Sequence, residues 1–148
     1  MLLKEAAVTL LEGIRKEDMH FVESIEEMHD NINKFVSYAL RMLNKYGYPD
    51  VKKTTFYYHI IASIDKIVNI LKYNARDILS YKKKFNKETI IIWEHINNSI
   101  HLYYEFFYNF DLEKVNNLSK NRDFVKNLIN IKTNKIPLEE TILITNMK

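Results

Sequence analysis

Two Glu-x-x-His motifs in this sequence have residue types and a spacing that could bind metal ions. They run from Glu17 to His20 and from Glu26 to His29. Carboxylate-bridged di-iron proteins use this spacing, but their site needs such a motif on each of two helices together with two further glutamates. Here both motifs fall in one short stretch and are directed to different faces. The residues alone therefore predict no assembled catalytic site.

The remaining histidines, the lack of cysteine and the scarcity of glycine exclude further kinds of catalytic site. His59, His95 and His101 have no partner histidine at i, i+4 spacing. The chain has no cysteine, which excludes a thiol nucleophile, a zinc ribbon and an iron–sulfur cluster. Gly13 and Gly47 are its two glycines, too few to build a P-loop or a dinucleotide-binding turn. We expect a protein that is not an enzyme.

Composition predicts one compact helical domain covering residues 1–148. Two glycines and two prolines in 148 residues leave few tight turns, which argues against an all-β sandwich or barrel. A net charge of +3 with both signs spread along the chain does not favour direct nucleic-acid binding. No run reaches the roughly 18 apolar residues of a membrane span. Together with the lack of cysteine, this predicts a cytoplasmic protein that does not span a membrane.

Hydrophobic periodicity predicts which elements position these residues. The second helix has apolar residues at steps of four and three, typical of a packed helix seam. This ladder consists of Phe21, Ile25, Met28, Ile32, Phe35, Ala39, Met42 and Tyr46. Gly47 suits the C-terminal cap of this helix, and Pro49 prevents its continuation.

Five further helices follow from the same kind of pattern. Their apolar ladders are Leu3, Ala7, Leu10, Ile14; Tyr57, Ile61, Ile64, Val68, Leu71, Ala75, Ile78; Thr89, Trp93, Ile96, Ile100, Tyr103, Phe107, Phe110; Val115, Leu118, Val125, Leu128; and Ile142, Leu143. Asn86 and Asp111 are predicted N-caps, and Pro137 is predicted to be the first residue of the last helix. The triplet 90–92 has strand propensity, but the helical spacing continues beyond it.

The chain contains an internal repeat at an offset of 93 residues. Asp18 aligns with Asp111 in this repeat, and Ile25 aligns with Leu118. A helix, an Asp-capped corner and a second helix thus occur twice, each followed by a third helix. We predict a first repeat over residues 1–84 and a partial second repeat over residues 86–148.

Two tandem three-helix units resemble the PhoU family of phosphate-uptake regulators, in particular its archaeal-type members. The resemblance covers the whole chain and is closest from Ile25 to Asp77, in IEEMHDNINKFVSYALRMLNKYGYPD and KKTTFYYHIIASIDKIVNILKYNARD. It implies an elongated all-α bundle and a non-enzymatic regulator that contacts a phosphate transporter or its signalling machinery through helix faces. It further implies that the last helix is incomplete, as in a member truncated at the C-terminus.

The resemblance also implies a metal site. The family places an acidic residue and an aspartate four positions apart on the third helix, where they hold a divalent or iron-type metal ion. The matching positions are Asp65 and Asn69, with Glu27 and Asp30 as supporting acids on the preceding helix. Asn69 replaces a carboxylate with a neutral amide, which weakens the expected site. Asp65 also fits a solvated residue on a helix face. The alternative function is that of a helical metal-binding protein or a carboxylate-type metalloenzyme.

Consecutive aromatic residues near the end of the fourth helix must cover more than one of its faces. Tyr104, Phe106 and Tyr108 lie off the core ladder, so they are either buried by neighbouring helices or exposed as a contact patch. As a patch they would bind a protein partner or form a homodimer. A scaffold or dimerisation module is therefore a further alternative function.

Overall fold

The computed structural model describes residues 2–81, 83–108 and 111–146. Within these ranges the chain forms six α-helices and no strand, which confirms the all-α prediction. The helices are α1 (Leu2–Lys16), α2 (Met19–Tyr46), α3 (Val51–Ser80), α4 (Lys87–Tyr108), α5 (Leu112–Lys132) and α6 (Leu138–Asn146). None of the described helices combines the length and apolar character that crossing a bilayer requires.

The first helix lies at the centre of the bundle. α1 packs against α2, α3 and α4, and α2 and α3 form the longest helix pair. α4 also packs against α5 and α6, and α6 contacts α3. The core is aliphatic and includes Leu10, Ile25, Leu71, Ile92 and Ile144. Burying each such side chain contributes about 1.5–3 kcal/mol of hydrophobic stabilisation.

Short polar residues begin four of the described helices, three of them as the sequence predicts. The unpredicted one is Asp50, whose Oδ1 accepts a backbone N–H at 3.2 Å at the start of α3. Oδ1 of Asp18 and Oδ1 of Asp111 each accept a hydrogen bond from the backbone N–H two residues on, at 3.0 and 2.9 Å. Oδ1 of Asn86 accepts from the N–H of Glu88 at 2.9 Å. Each bond satisfies a donor that a helix start leaves without an intrahelical partner. Both Asp-capped corners of the predicted repeat are therefore present.

The predicted glycine cap is seen, whereas the predicted proline start is wrong by one residue. Gly47 has φ = 70°, and its N–H donates to the carbonyl oxygen of Leu43 at 2.9 Å. α6 begins at Leu138, one residue later than predicted, and the Pro137 carbonyl accepts the N–H of Thr141 at 2.9 Å.

The α2 ladder is wrong as a single packed seam. Ile25 and Ile32 are buried, but the two phenylalanines, Met42 and Tyr46 of that ladder are exposed. Val22, His29 and Val36 take their places in the core. Each of these three residues directly follows a residue of the predicted ladder. Because successive residues lie about 100° apart around a helix, the buried face is rotated away from the face that the ladder predicted.

The other ladders differ less from expectation. The helical prediction for residues 90–92 is confirmed, since they lie within α4. Val68, Leu71 and Ile78 are buried as predicted. Tyr103 and Phe107 are half-buried, and Phe110 lies outside the described residues. Val115 is exposed, because α5 leaves part of its apolar face uncovered.

Candidate functional site

Neither Glu-x-x-His motif assembles a site. Arg76 donates to both carboxylate oxygens of Glu26, which holds the pKa of that glutamate below its usual value. Glu17 instead pairs with Lys84, and His20 lies beside Glu23 at 3.3 Å on the surface. Both glutamates thus form surface ion pairs that tie separate parts of the chain together.

The predicted metal residues lie where α2 meets α3, around a buried histidine. His29 is 4% exposed, and its Nε2 lies 2.9 Å from Oδ1 of Asn69. Its Nδ1 lies 3.0 Å from Oδ1 of Asp30. Asn69 Nδ2 donates to the carbonyl oxygen of Asp65 at 2.8 Å and lies 3.3 Å from Asp65 Oδ2. Two of the four predicted metal residues therefore contact one imidazole, and a third, Asp65, is linked to it through Asn69.

Hydrogen bonding determines which atoms of this cluster carry protons. Because Asn69 Nδ2 donates to Asp65, Asn69 Oδ1 faces the ring and accepts from His29 Nε2–H. Asn33 Nδ2 lies 2.9 Å from the same Nε2, while Asn33 Oδ1 is buried without a partner among the described residues. Turning the Asn33 amide by half a rotation would place its oxygen against Nε2–H, with the amide nitrogen then in the buried position that lacks a partner.

In its hydrogen-bonded arrangement this donor set does not fit a metal ion. Both ring nitrogens of His29 are engaged in hydrogen bonds, and Asn69 presents N–H groups to Asp65. Glu27 lies on another face of α2, in a shallow groove that also contains Phe21. In the described part of the chain, no three histidine, aspartate or glutamate side chains are placed to share an ion.

A larger candidate site is an apolar groove of about 510 Å³ between α3, α4 and α5. Its floor and walls are mostly aliphatic. The lining residues are Ile67, Ile70, Ile96, Ser99, Ile100, Tyr103, Val115, Leu118, Ser119, Arg122, Val125 and Lys126. The α5 wall from Val115 to Lys126 is about 16 Å long at 1.5 Å per residue, which corresponds to three helical turns.

Polar contacts hold the α4–α5 wall of the groove in place. Asn121 Nδ2 donates to the carbonyl oxygen of His95 at 3.1 Å and to Oγ of Ser99 at 2.6 Å. Lys132 pairs with Glu88 at 2.7 Å near one end of the two helices. These contacts fix α5 against α4 while its apolar face towards α3 stays open.

The rim of the groove is basic. Arg122 and Lys126 lie on α5 beside the apolar wall, and both are exposed. Arg122 contacts its neighbour Asp123 at 2.9 Å, while Lys126 has no ion-pair partner among the described residues. An apolar groove with cations on one edge suits an occupant with an apolar face and acidic residues beside it.

The residues of the predicted aromatic patch differ in how far their side chains are exposed. Tyr104 is half-buried, with the Lys4 ammonium 5.9 Å from its ring centre and the Tyr108 ring 4.7 Å away. This burial raises the pKa of Tyr104. Tyr108 is exposed. The side chain of Phe106 lies outside what the structure describes.

A buried carboxylate on α6 is the polar residue that sequence analysis missed. Glu140 is fully buried and accepts hydrogen bonds from the Tyr81 hydroxyl at 2.7 Å, from the Asn86 N–H at 3.1 Å and from the Thr89 hydroxyl. Burial and this carboxylate raise the pKa of Tyr81 to about 12. Glu140 thus joins the end of α3, the start of α4 and α6.

Comparison with family models, curated proteins and solved structures finds no match for this chain.

The groove was also missed, although the sequence carries a signal for it. On α5 the apolar positions Val115, Leu118 and Val125 follow helical spacing, and Arg122 occupies the step at which another apolar residue would complete the ladder. A cation within an apolar ladder indicates that this face is not closed by the chain's own core.

Proposed function

We propose that this protein is a non-enzymatic, cytoplasmic regulator of the PhoU type that acts through helix-face contacts with phosphate-uptake machinery. The PhoU part of this proposal is supported by the sequence pattern described above. Its contact mechanism is supported by one observation, the open groove between α3, α4 and α5.

The dimensions of the groove favour a helix as its occupant. A wall of three turns matches the i, i+3, i+7 anchors of an amphipathic helix laid into a hydrophobic groove. Arg122 and Lys126 add a charge requirement, because acidic residues beside the anchors of the partner helix would pair with them. The proposed partner segment is therefore an amphipathic helix with an acidic edge.

A designed peptide with these properties tests the groove. We expect an acidic-edged amphipathic peptide to bind the protein and a basic-edged peptide with the same apolar face to bind at least tenfold more weakly. Leu118→Asp should abolish binding, since it puts a charge in the apolar wall. Lys120→Glu, on the exposed side of α5, is the matched control and should bind normally. Equal binding of the two peptides would contradict the proposal.

The regulatory part is tested in the host cell. Deleting the gene should alter phosphate uptake, and Leu118→Asp should reproduce the deletion while Lys120→Glu does not. Unchanged uptake after deletion would refute the PhoU-type role, whatever the peptide result. Altered uptake after deletion, with normal regulation by folded Leu118→Asp protein, would instead refute the groove as the contact.

Metal binding is the second candidate function, because Asp30 and Asn69 contact the His29 ring and Asp65 contacts Asn69, although an ion would have to displace their hydrogen bonds. It predicts stoichiometric iron, manganese or zinc in protein purified without chelator, with the metal lost in Asp65→Ala. Asp77→Ala, an exposed acid further along α3, is the control. If the Asp65→Ala variant retains its metal, the metal site must lie elsewhere in the protein.

A further inference from the structure

A second uncovered surface runs along α2. Phe21, Met28, Phe35 and Met42 recur every seven residues and, with Tyr38 and Tyr46, form what we call the α2 stripe. Phe35, Tyr38 and Tyr46 are 64%, 63% and 65% exposed. Met28 alone among the six packs partly against the core. The other five are large apolar side chains that are exposed to solvent.

The stripe occupies one continuous face of the helix. At about 100° per residue, its six members fall within roughly a quarter of the helix circumference and extend for about 37 Å. The core-facing residues, including Ile25 and Val36, are centred about 100° away. A contiguous apolar surface of this length is typical of an interaction site.

The seven-residue period indicates that the occupant is another helix. Apolar residues repeating at this interval stay aligned along a partner helix when the two supercoil. α1 and α3 are the helices that pack extensively on α2 within the described chain. α3 packs on it at His29 and Asn69, on a face away from the stripe. α1 closes on it at Gly13, beside Phe21 at the start of the stripe, and leaves the rest of the stripe uncovered.

Charged residues beside the stripe indicate which kind of helix could pack on it. Glu23 and Glu27 flank its first half, whereas Lys34, Arg41 and Lys45 flank its second half on the same side of the helix. Glu27, Lys34 and Arg41 form no ion pair among the described residues. The acidic half and the basic half of this edge are complementary to each other.

We propose that the α2 stripe is the interface of a homodimer in which two copies of α2 pack antiparallel. In this orientation the acidic half of each helix faces the basic half of the other, with Glu27 opposite Lys34 of the second copy. In a parallel two-fold pair this edge would lie against the opposite flank of the second helix, so its acidic and basic halves would not face each other. A two-fold axis near the middle of α2 makes every such contact twice.

Sedimentation equilibrium tests the interface. The unaltered protein should be dimeric at micromolar concentration, and Phe35→Asp should be monomeric with unchanged helicity, because Phe35 is exposed. Ile131→Asp, an equally exposed apolar residue on α5, is the control and should stay dimeric. A monomeric unaltered protein, or a Phe35→Asp variant that dimerises normally, would overturn the proposal. So would a monomer that binds lipid vesicles through Phe35, since the stripe would then face a membrane.

Charge reversal tests the orientation. Glu27→Lys and Lys34→Glu should each weaken dimerisation about tenfold, because each places like charges opposite one another. The two changes combined should restore it, since the reversed pair is again complementary. Failure of the combined variant to recover would overturn the antiparallel arrangement.

Discussion

At the scale of single residues, Glu140 and Tyr81 show how one buried pair ties the chain together. The Glu140 carboxylate accepts from a tyrosine hydroxyl, a threonine hydroxyl and the backbone N–H of Asn86. Hydrogen bonds to a charged group contribute about 1.5–3 kcal/mol each. The local sequence does not reveal this contact, because its partners lie more than 50 residues apart along the chain.

The hydrogen bond between Tyr81 and Glu140 makes the free energy of unfolding depend on pH in the alkaline range. The pKa of Tyr81 is about 12 in the folded protein, against an ordinary value of 10.0. The protonated phenol is therefore favoured by folding, so its contribution is complete below pH 10 and is lost as the pH rises towards 12.

We expect the urea midpoint of the unaltered protein to fall more steeply between pH 10 and pH 12 than that of Tyr81→Phe. Tyr57, Tyr103 and Tyr104 also have raised pKa values and remain in both proteins, so the difference in slope isolates Tyr81. Parallel curves would show that the hydroxyl titrates as in the unfolded chain.

At the scale of helices, Gly13 determines how closely α1 approaches α2. A Cβ at this position would lie 2.7 Å from Val22 Cγ2 and 3.2 Å from the Asp18 carbonyl oxygen. The corner that follows leaves α1 through Glu17, which has a positive φ of 57°, and Asp18 then begins α2. Close packing and the tight corner therefore depend on the same few residues.

Gly13→Ala should lower the free energy of unfolding by about 1–3 kcal/mol, because the overlap forces the two helices apart. This loss outweighs the gain of about 1 kcal/mol that alanine brings to an ordinary helix interior. Gly47→Ala is the comparison: its new Cβ meets nothing closer than 3.5 Å, so only the strain of the positive φ remains. Increased stability of Gly13→Ala in urea unfolding would contradict the close approach.

The helices also show what the sequence could and could not predict. Asp18, Gly47, Asn86 and Asp111 act on groups within four residues, so local patterns locate the helix ends. α2 carries two apolar faces, and only the packing of α1 and α3 decides which is buried. The groove depends on the placement of α5 relative to α3, which no local pattern specifies.

At the scale of the whole molecule, the two proposed interaction surfaces lie on different helices. The α2 stripe belongs to the first half of the chain, and the groove is formed by α3, α4 and α5. Self-association along α2 therefore leaves the groove open to a partner. Each dimer would present two grooves with basic rims.

If the groove binds an acidic-edged helix, reversing the charges on its rim should reverse its preference between the two peptides. In Arg122→Glu/Lys126→Glu protein the rim becomes acidic while the apolar walls are unchanged. Fluorescence anisotropy should then show the preference reversed, with the basic-edged peptide bound more tightly than the acidic-edged one. Loss of binding to both peptides, or an unchanged preference, would contradict the binding of an acidic-edged helix in this groove.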